Sequence, residues 1–348
     1  MDSPRATQWI RPIKSPPCAA AKIHGGGMSL QGEDIADTGD EGLGDHSSEL
    51  YAQSAVAGAH ALIRMDPKQE RWVNPLVRAI LRKRLRLPAL SPTTHRVIKL
   101  IESPDVDVDS LAQAVSGDPV LATRIMGVAN SSYFRGATEV PNVHEALMRM
   151  GIREARTLVV VVALRSTLLR APGLGDLAQK LWRHSLLSAS ATQEITQEIP
   201  PWQNSGFLAG LLHDLGQLVV LAFVAELPAW QDDGSEPSAA TVESIIDATH
   251  ASLGAMVLAS WGFPESFCEA IHAHHDPTLA EGDAAILAQA MDLGHQIANQ
   301  IEAGWPADAR ELDEDTMKAA AQLGLDVDRL VDIAADAEAN LQALSKLG

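Results

Sequence analysis

The sequence predicts an all-α protein built as two helical lobes, and three observations carry that expectation. Alanine and leucine are abundant while aromatic residues make up only 4%, a balance that favours helix. Apolar residues recur at spacings of three and four along most of the chain beyond Leu87, the period of a helix with one buried face. No segment carries a convincing two-residue alternation of the kind a half-buried strand needs.

Taken in order, residues 1–50 read as an unstructured N-terminal region. "SPP", "GGG" and "GEDIADTGDEGLGD" punctuate it and little apolar periodicity runs through it. Met28, just after the glycines, is a second possible start. Residues 51–86 read as a basic helical lead-in in which Leu76, Ile80 and Leu81 share a side, ended by Pro88. Residues 87–172 form the first lobe. Asp118 before Pro119 is an N-cap with proline at the first helical position. Leu121, Ile125 and Val128 follow at helical spacing, and Asn142 caps "VHEALMRM" ahead of Gly151. "REARTLVVVVALRSTLL" is ambiguous because four valines in a row suit a buried strand; its length and flanking Arg, Ala and Leu favour helix. "RAPGLG" (170–175) marks the lobe boundary. Residues 173–302 form the second lobe, with helices expected near 176–198, 205–226, 239–262, 264–275 and 283–301. Residues 303–348 read as an acidic helical tail.

Composition narrows the function. A formal net charge of -18 weighs against general nucleic-acid binding. The charge is uneven: residues 64–99 carry ten Lys/Arg against two Asp/Glu, and residues 281–348 carry fourteen Asp/Glu against four Lys/Arg. The basic "RKRLR" (82–86) reads as a solvated helix face before it reads as a contact for anionic lipid. Two cysteines, Cys18 and Cys268, suit a reducing compartment. The purely apolar run "LVVVVAL" (158–164) is too short to span a bilayer, and the first residues lack a secretory apolar core. The expectation is a cytoplasmic protein with no transmembrane segment. "IHGGGM" lacks the flanking features of a phosphate loop, and Ser131 and Ser132 read as a helix stop with no base placed beside them.

The chemistry gathers in the second lobe. In "LAGLLHDLGQLV", Leu208, Leu211, Leu212, Leu215, Leu218 and Val219 make an apolar stripe. His213 and Asp214 leave that stripe beside Gly210 and Gln217, with Gly210 and Gly216 giving room for another element to approach. His184 continues an apolar stripe with Leu177, Leu181 and Ser188. His250 shares a face with Leu253, Gly254, Val257 and Trp261. "AIHAHHDP" supplies His272, His274, His275 and Asp276, and Asp292 lines up with Ala285 and Ala288. Imidazoles and carboxylates brought from several helices to inward faces suit one or two divalent ions of the Mn, Fe, Mg, Zn or Ni type. Taken singly, His95, His144, His272 and His295 read as core or capping histidines.

"GFLAGLLHDLGQL" (206–218) resembles the signature helix of the HD superfamily of metal-dependent phosphohydrolases. Upstream, "LPALSPTTHRVIKLIESPDVDVDSLAQAVSGDPVLATRIMGVANSSYF" and "VHEALMRMGIREARTL" resemble the start of the HDOD domain, the HD-related output domain of bacterial signalling proteins. "LWRHSLLSA", "HASLGAMVLASWGFPESFCEAIHAHHDP" and "AMDLGHQIA" continue the likeness, which covers about residues 85–300. The resemblance implies a two-lobed all-α fold and a regulatory role exercised through other signalling proteins. It maps the superfamily's metal ligands onto His184, His213, Asp214 and Asp292, with His250 and His274 as the ligands of a second ion and His275 as a further candidate beside them. The position after "HDLG", often Lys in catalytic relatives, is Gln217, and the "HHE…GYP" segment of the cyclic-di-GMP phosphodiesterases is absent. The expected function is therefore a signal-transduction protein working by protein–protein contact and modulated by a ligand or metal. The alternative is a metal-dependent phosphohydrolase acting on a nucleotide or other phosphoester, with Asp214 bridging the ions and His213 beside it.

Overall fold

The computed structural model describes residues 43–85, 90–103, 106–131, 134, 138–168, 175–197, 199–226, 237–306, 308 and 311–345. Residues 1–42, Pro88 and most of the "RAPGLG" boundary lie outside them, and with them Cys18, the glycine run and Met28. Among the described residues the secondary structure is helical throughout, with no strand.

The chain opens with α1 (Leu43–Met65) and α2 (Glu70–Leu81). Helix therefore begins at Leu43, inside the region expected to lack structure. In α2, Leu76 and Ile80 are buried as expected, but Leu81 is 64% exposed; the buried stripe runs Trp72, Val73, Leu76, Val77 and Ile80, a face that Leu81 just misses. α1 does not stand ahead of the first lobe. It lies along α11 (Ala239–Ser260) of the second lobe, where Gly58 lets the helices meet: a Cβ there would fall 2.1 Å from the carbonyl oxygen of Ala248.

Five helices form the first lobe: α3 (Pro92–Glu102), α4 (Val108–Ser116), α5 (Pro119–Ala129), α6 (Val143–Met150) and α7 (Ile152–Leu168). Side-chain caps set the starts of α5 and α6, Asp118 accepting from the backbone of Val120 and Leu121 and Asn142 from that of Glu145. Gly151, at φ +81, turns the chain from α6 into α7, a conformation open to glycine without penalty. The valine run is helical. It is buried from Leu158 to Leu164, so its β-branched residues are held by packing against their strand preference.

The second lobe centres on α8 (Gly175–Thr196), flanked by α9 (Gly206–Leu212), α13 (Gly282–Ala303) and α15 (Val327–Ser345). α10 (Leu215–Glu226) and α12 (Glu265–His272) pack on α11, and α14 (Glu314–Gln322) packs on α13. The acidic C-terminal segment is part of this body. Leu330, Ile333, Ala337 and Leu341 bury one face of α15, and Arg329 donates to the carbonyl of Glu194 on α8 at 3.4 Å. Residues Gly206–Ala225 are long and apolar enough to cross a membrane, with a mean hydropathy of 1.9, yet 83% of that window is buried inside the protein. The run is the core of the lobe.

Candidate metal centre

The helix expected over 205–226 is two helices, α9 and α10, and the break falls on His213 and Asp214. After the pair, Gln217 donates its backbone N–H to the carbonyl of Asp214 at 2.9 Å, a tightened i→i+3 turn. His213 is fully buried and Asp214 is 5% exposed.

Three glycines let other helices close on this turn. A Cβ on Gly216 would sit 1.8 Å from the carbonyl oxygen of His250, so its bare backbone is what admits α11 and His250. A Cβ on Gly210 would sit 2.6 Å from the Cα of Ala189, and one on Gly294 2.2 Å from Oγ1 of Thr192. These approaches draw α9 and α13 onto α8, the helix that carries His184.

Two groups of ligand-type residues result. One is His184, His213, Asp214 and His295; the other is Asp214, His250, His274 and His275; within each, the ligand atoms all lie within 4.8 Å of one another. Asp214 belongs to both. Its Oδ2 lies 3.1 Å from Nε2 of His213 and 4.0 Å from Nε2 of His184. Its Oδ1 lies 3.4 Å from Nε2 of His250 and 3.8 Å from Nε2 of His274.

The orientation of the rings has a backbone cause. Nδ1 of His213 lies 2.8 Å from the carbonyl of Gly210, Nδ1 of His250 2.8 Å from that of Ile246, and Nδ1 of His274 2.6 Å from that of Ile271. A carbonyl only accepts, so each Nδ1 carries the proton and each Nε2 turns a lone pair to the centre. His184 is held from outside by Glu302, Nδ1 to Oε2 at 3.1 Å. Such outer-shell acceptors are what orient metal-ligating histidines.

The inward atoms are spaced as the donors of a cation would be. Nδ1 of His295 faces Nε2 of His213 at 3.0 Å and Nε2 of His184 at 3.1 Å, and Nε2 of His250 faces Nε2 of His275 at 2.9 Å. Oδ1 of Asp214 and Nε2 of His274 are buried without a hydrogen bond, each at a desolvation cost of roughly 1–3 kcal/mol. Two atoms each about 2.1 Å from one ion stand about 3.0 Å apart at a right angle and about 3.4 Å apart at the tetrahedral angle. The nearest pairs match those separations. The residues present fit a divalent metal.

The titration state agrees with that fit. Burial alone would push the Asp214 carboxyl up, but its attraction to His213 and His250 outweighs burial and holds it well below the usual carboxylate range. Burial, reinforced by neighbouring imidazoles, holds His295 and His275 well below the ordinary histidine value and lowers His250. His184 moves the other way, because Glu302 and Asp214 overcome its burial. An anionic Asp214 beside His250, His275 and His295 held towards the neutral form is the donor state a metal requires.

Of the positions expected from sequence, the structure brings together His184, His213, Asp214, His250, His274 and His275. It sets Asp292 aside. That carboxyl is bonded to Gln296 at 3.5 Å, feels Asp315 and Lys318 of α14 as its nearest charges, and is pushed up to about 6 by burial. The place expected for it is taken by His295, one turn further along α13. The buried stripe of that helix runs Ala284, Leu287, Ala288, Met291, Gly294, His295 and Ala298, so Ala285 and Asp292 mark its edge and the line drawn through them was one face off. The legible signal was His295 seven residues beyond Ala288 and next to a glycine. The other lone histidines stay outside the centre: His272 hydrogen-bonds Ser252 and Ser54 against α1, and His144 pairs with Asp109 at the surface.

The second lobe thus gathers His and Asp from five segments around an interrupted helix. Residues 87–277 match the HDOD domain family, more than half of the chain, and the chain belongs to that family. It is similar to an uncharacterised protein of Treponema pallidum (strain Nichols), 25% identical over 203 residues, 55% of this chain and 38% of that protein; it thus spans well under half the length of that curated relative. Among solved structures it is similar to a provisionally assigned signal transduction protein from Marinobacter aquaeolei VT8, 25% identical with a TM-score of 0.54, covering 76% of this chain and 61% of that one. A provisionally assigned metal-dependent phosphohydrolase from Shewanella amazonensis SB2B shares the fold at 20% identity and a TM-score of 0.55, over 78% of this chain and 99% of that one.

Proposed function

We propose that this chain is a cytoplasmic signal-transduction module that acts through contacts with other signalling proteins, its lobes at 87–172 and 173–302 forming one unit and a divalent metal centre within the second lobe setting its conformation. The observation that carries the reading is the buried Asp214 shared by two ligand groups. Each group offers four protein donors, the number that closes a tetrahedral structural site, whereas catalytic sites keep a position open for water or substrate. Gln217, 3% exposed, stands where catalytic relatives often carry Lys and brings no cation for a developing phosphoryl charge. Two cysteines in 348 residues, of which Cys268 is buried, suit a reducing compartment. His184, His213, Asp214 and His295 would hold one ion and Asp214, His250, His274 and His275 another. A bound ion supplies Lewis acidity and an acidified water where a coordination position is left open.

One observation favours a second reading, a metal-dependent phosphohydrolase acting on a nucleotide or other phosphoester. His275 is the one ligand-type residue that is only half-buried, which gives the second group a side nearer to solvent. Protein purified without chelator, assayed for metal and for hydrolysis of bis(p-nitrophenyl) phosphate and common nucleotides with added Mn²⁺, separates the two. The signalling reading expects bound metal without turnover. Turnover that disappears in Asp214→Ala would replace it with the enzyme.

A further inference from the structure

Between the lobes lies a cleft of about 400 Å³ lined by none of the ligand-type histidines and within the size range of small-molecule sites. One wall is α7 of the first lobe, with Arg156 and Thr157. The other is the second lobe, with Gln193 near the end of α8, Gln203 and Asn204 in the turn at Trp202–Asn204, and Phe207 at the start of α9.

Arg156 is the one charged residue among those lining the cleft. Its guanidinium is fixed from both sides: one terminal nitrogen donates to Oδ1 of Asn204 at 2.9 Å, the other to the carbonyl of Ser103 at 3.4 Å. Its Nε–H is buried and has no acceptor. Burial lowers the pKa of this guanidinium, and both of its hydrogen-bond partners are neutral. A buried charged donor left open is costly, and an oxyanion is the acceptor that suits an Arg edge best. The surrounding amides each offer both a donor and an acceptor, and Phe207 offers an aromatic face.

We infer that the interlobe cleft binds a small organic anion, its oxyanion on the guanidinium of Arg156 and its hydrogen-bonding body among Gln193, Gln203 and Asn204. The oxyanion is a phosphomonoester or a carboxylate, groups that share this chemistry. Such a ligand touches both lobes at once. α9 carries Phe207 at the cleft and, six residues on, leads into His213, so occupancy at the cleft and order at the centre are mechanically adjacent. The inference stands independently of the metal reading, because none of its residues belongs to either ligand group.

The test is a calorimetric titration of the full chain with four probes up to 10 mM: inorganic phosphate, AMP, adenosine and nicotinate. Saturable binding of AMP over adenosine and phosphate identifies the phosphomonoester; binding of nicotinate identifies the carboxylate. In either case Arg156→Gln is expected to weaken binding at least tenfold, and Gln193→Ala severalfold, with thermal unfolding midpoints checked to show that both variants fold. Metal content should be unchanged in both. No saturable binding of any anionic probe, or equal affinity in a folded Arg156→Gln variant, overturns the inference. Should Arg156→Gln fail to fold, Gln193→Ala and Thr157→Val decide it, and unaltered affinity in both would count against the cleft.

Discussion

Nδ1 of His295 lies 3.0 Å from Nε2 of His213, 82 residues earlier in the chain. This contact closes one ligand group, and it makes His295 rather than Asp292 the contribution of α13. His295→Ala should lower metal stoichiometry by about one ion while leaving the second group loaded. Asp292→Ala should leave stoichiometry unchanged. Metal analysis of both purified variants checks the pair, and a loss in Asp292→Ala would return that residue to the site.

Asp292 carries a stability prediction of its own. Its folded-state pKa is pushed up to about 6 from 3.8 by burial, so the folded protein holds its proton more tightly than the unfolded chain does. Such a group costs no stability below pH 4, and the cost grows as pH rises through 6. Asp292→Asn should therefore stabilise the fold at pH 8 by roughly 1–2 kcal/mol, allowing for partial exposure, with the advantage vanishing near pH 4. Urea unfolding midpoints at the two pH values read this out, and an advantage at low pH alone would contradict it.

Gly216 should tolerate no side chain. A Cβ there meets the carbonyl oxygen of His250 at 1.8 Å, a backbone atom that cannot rotate away. Gly216→Ala is expected to cost at least about 3 kcal/mol and to weaken the second metal, because α11 must retreat and take His250 with it. Gly262, whose surroundings hold nothing within 4 Å but whose φ is +77, is the control: Gly262→Ala should cost about 1 kcal/mol of backbone strain and leave metal binding intact. Chemical denaturation beside metal content distinguishes the two.

Capping offers a test remote from the centre. Asp118 accepts from Val120 at 2.9 Å and Leu121 at 3.1 Å. Asp118→Ala should cost about 1 kcal/mol with metal stoichiometry unchanged, since α5 touches none of the ligand-type residues. A folded variant that had lost metal would show that the first lobe governs the centre.

The helices were legible because their apolar spacing and caps are local. Asp118, Asn142 and Gly151 announce their roles in a few residues. Five of the six imidazoles around Asp214 were legible for a related reason: a histidine on an inward-looking face has few explanations. What the sequence did not reveal depends on distance. The placement of α1 against α11 turns on Gly58 meeting Ala248, a contact between segments 190 residues apart by number. The break at His213 is invisible in a run whose leucines keep perfect helical register. His295 was missed because two lines of small residues run side by side on α13, and only the approach of Thr192 to Gly294 picks the one that faces inward.

The central claim is that Asp214 is shared. Metal stoichiometry of the full chain, purified without chelator and compared with His295→Ala, His250→Ala and Asp214→Ala, tests it most directly. Two ions in the native protein, one in each histidine variant and close to none in a folded Asp214→Ala protein are the predicted values. An Asp214→Ala protein that keeps either ion at full occupancy would contradict it.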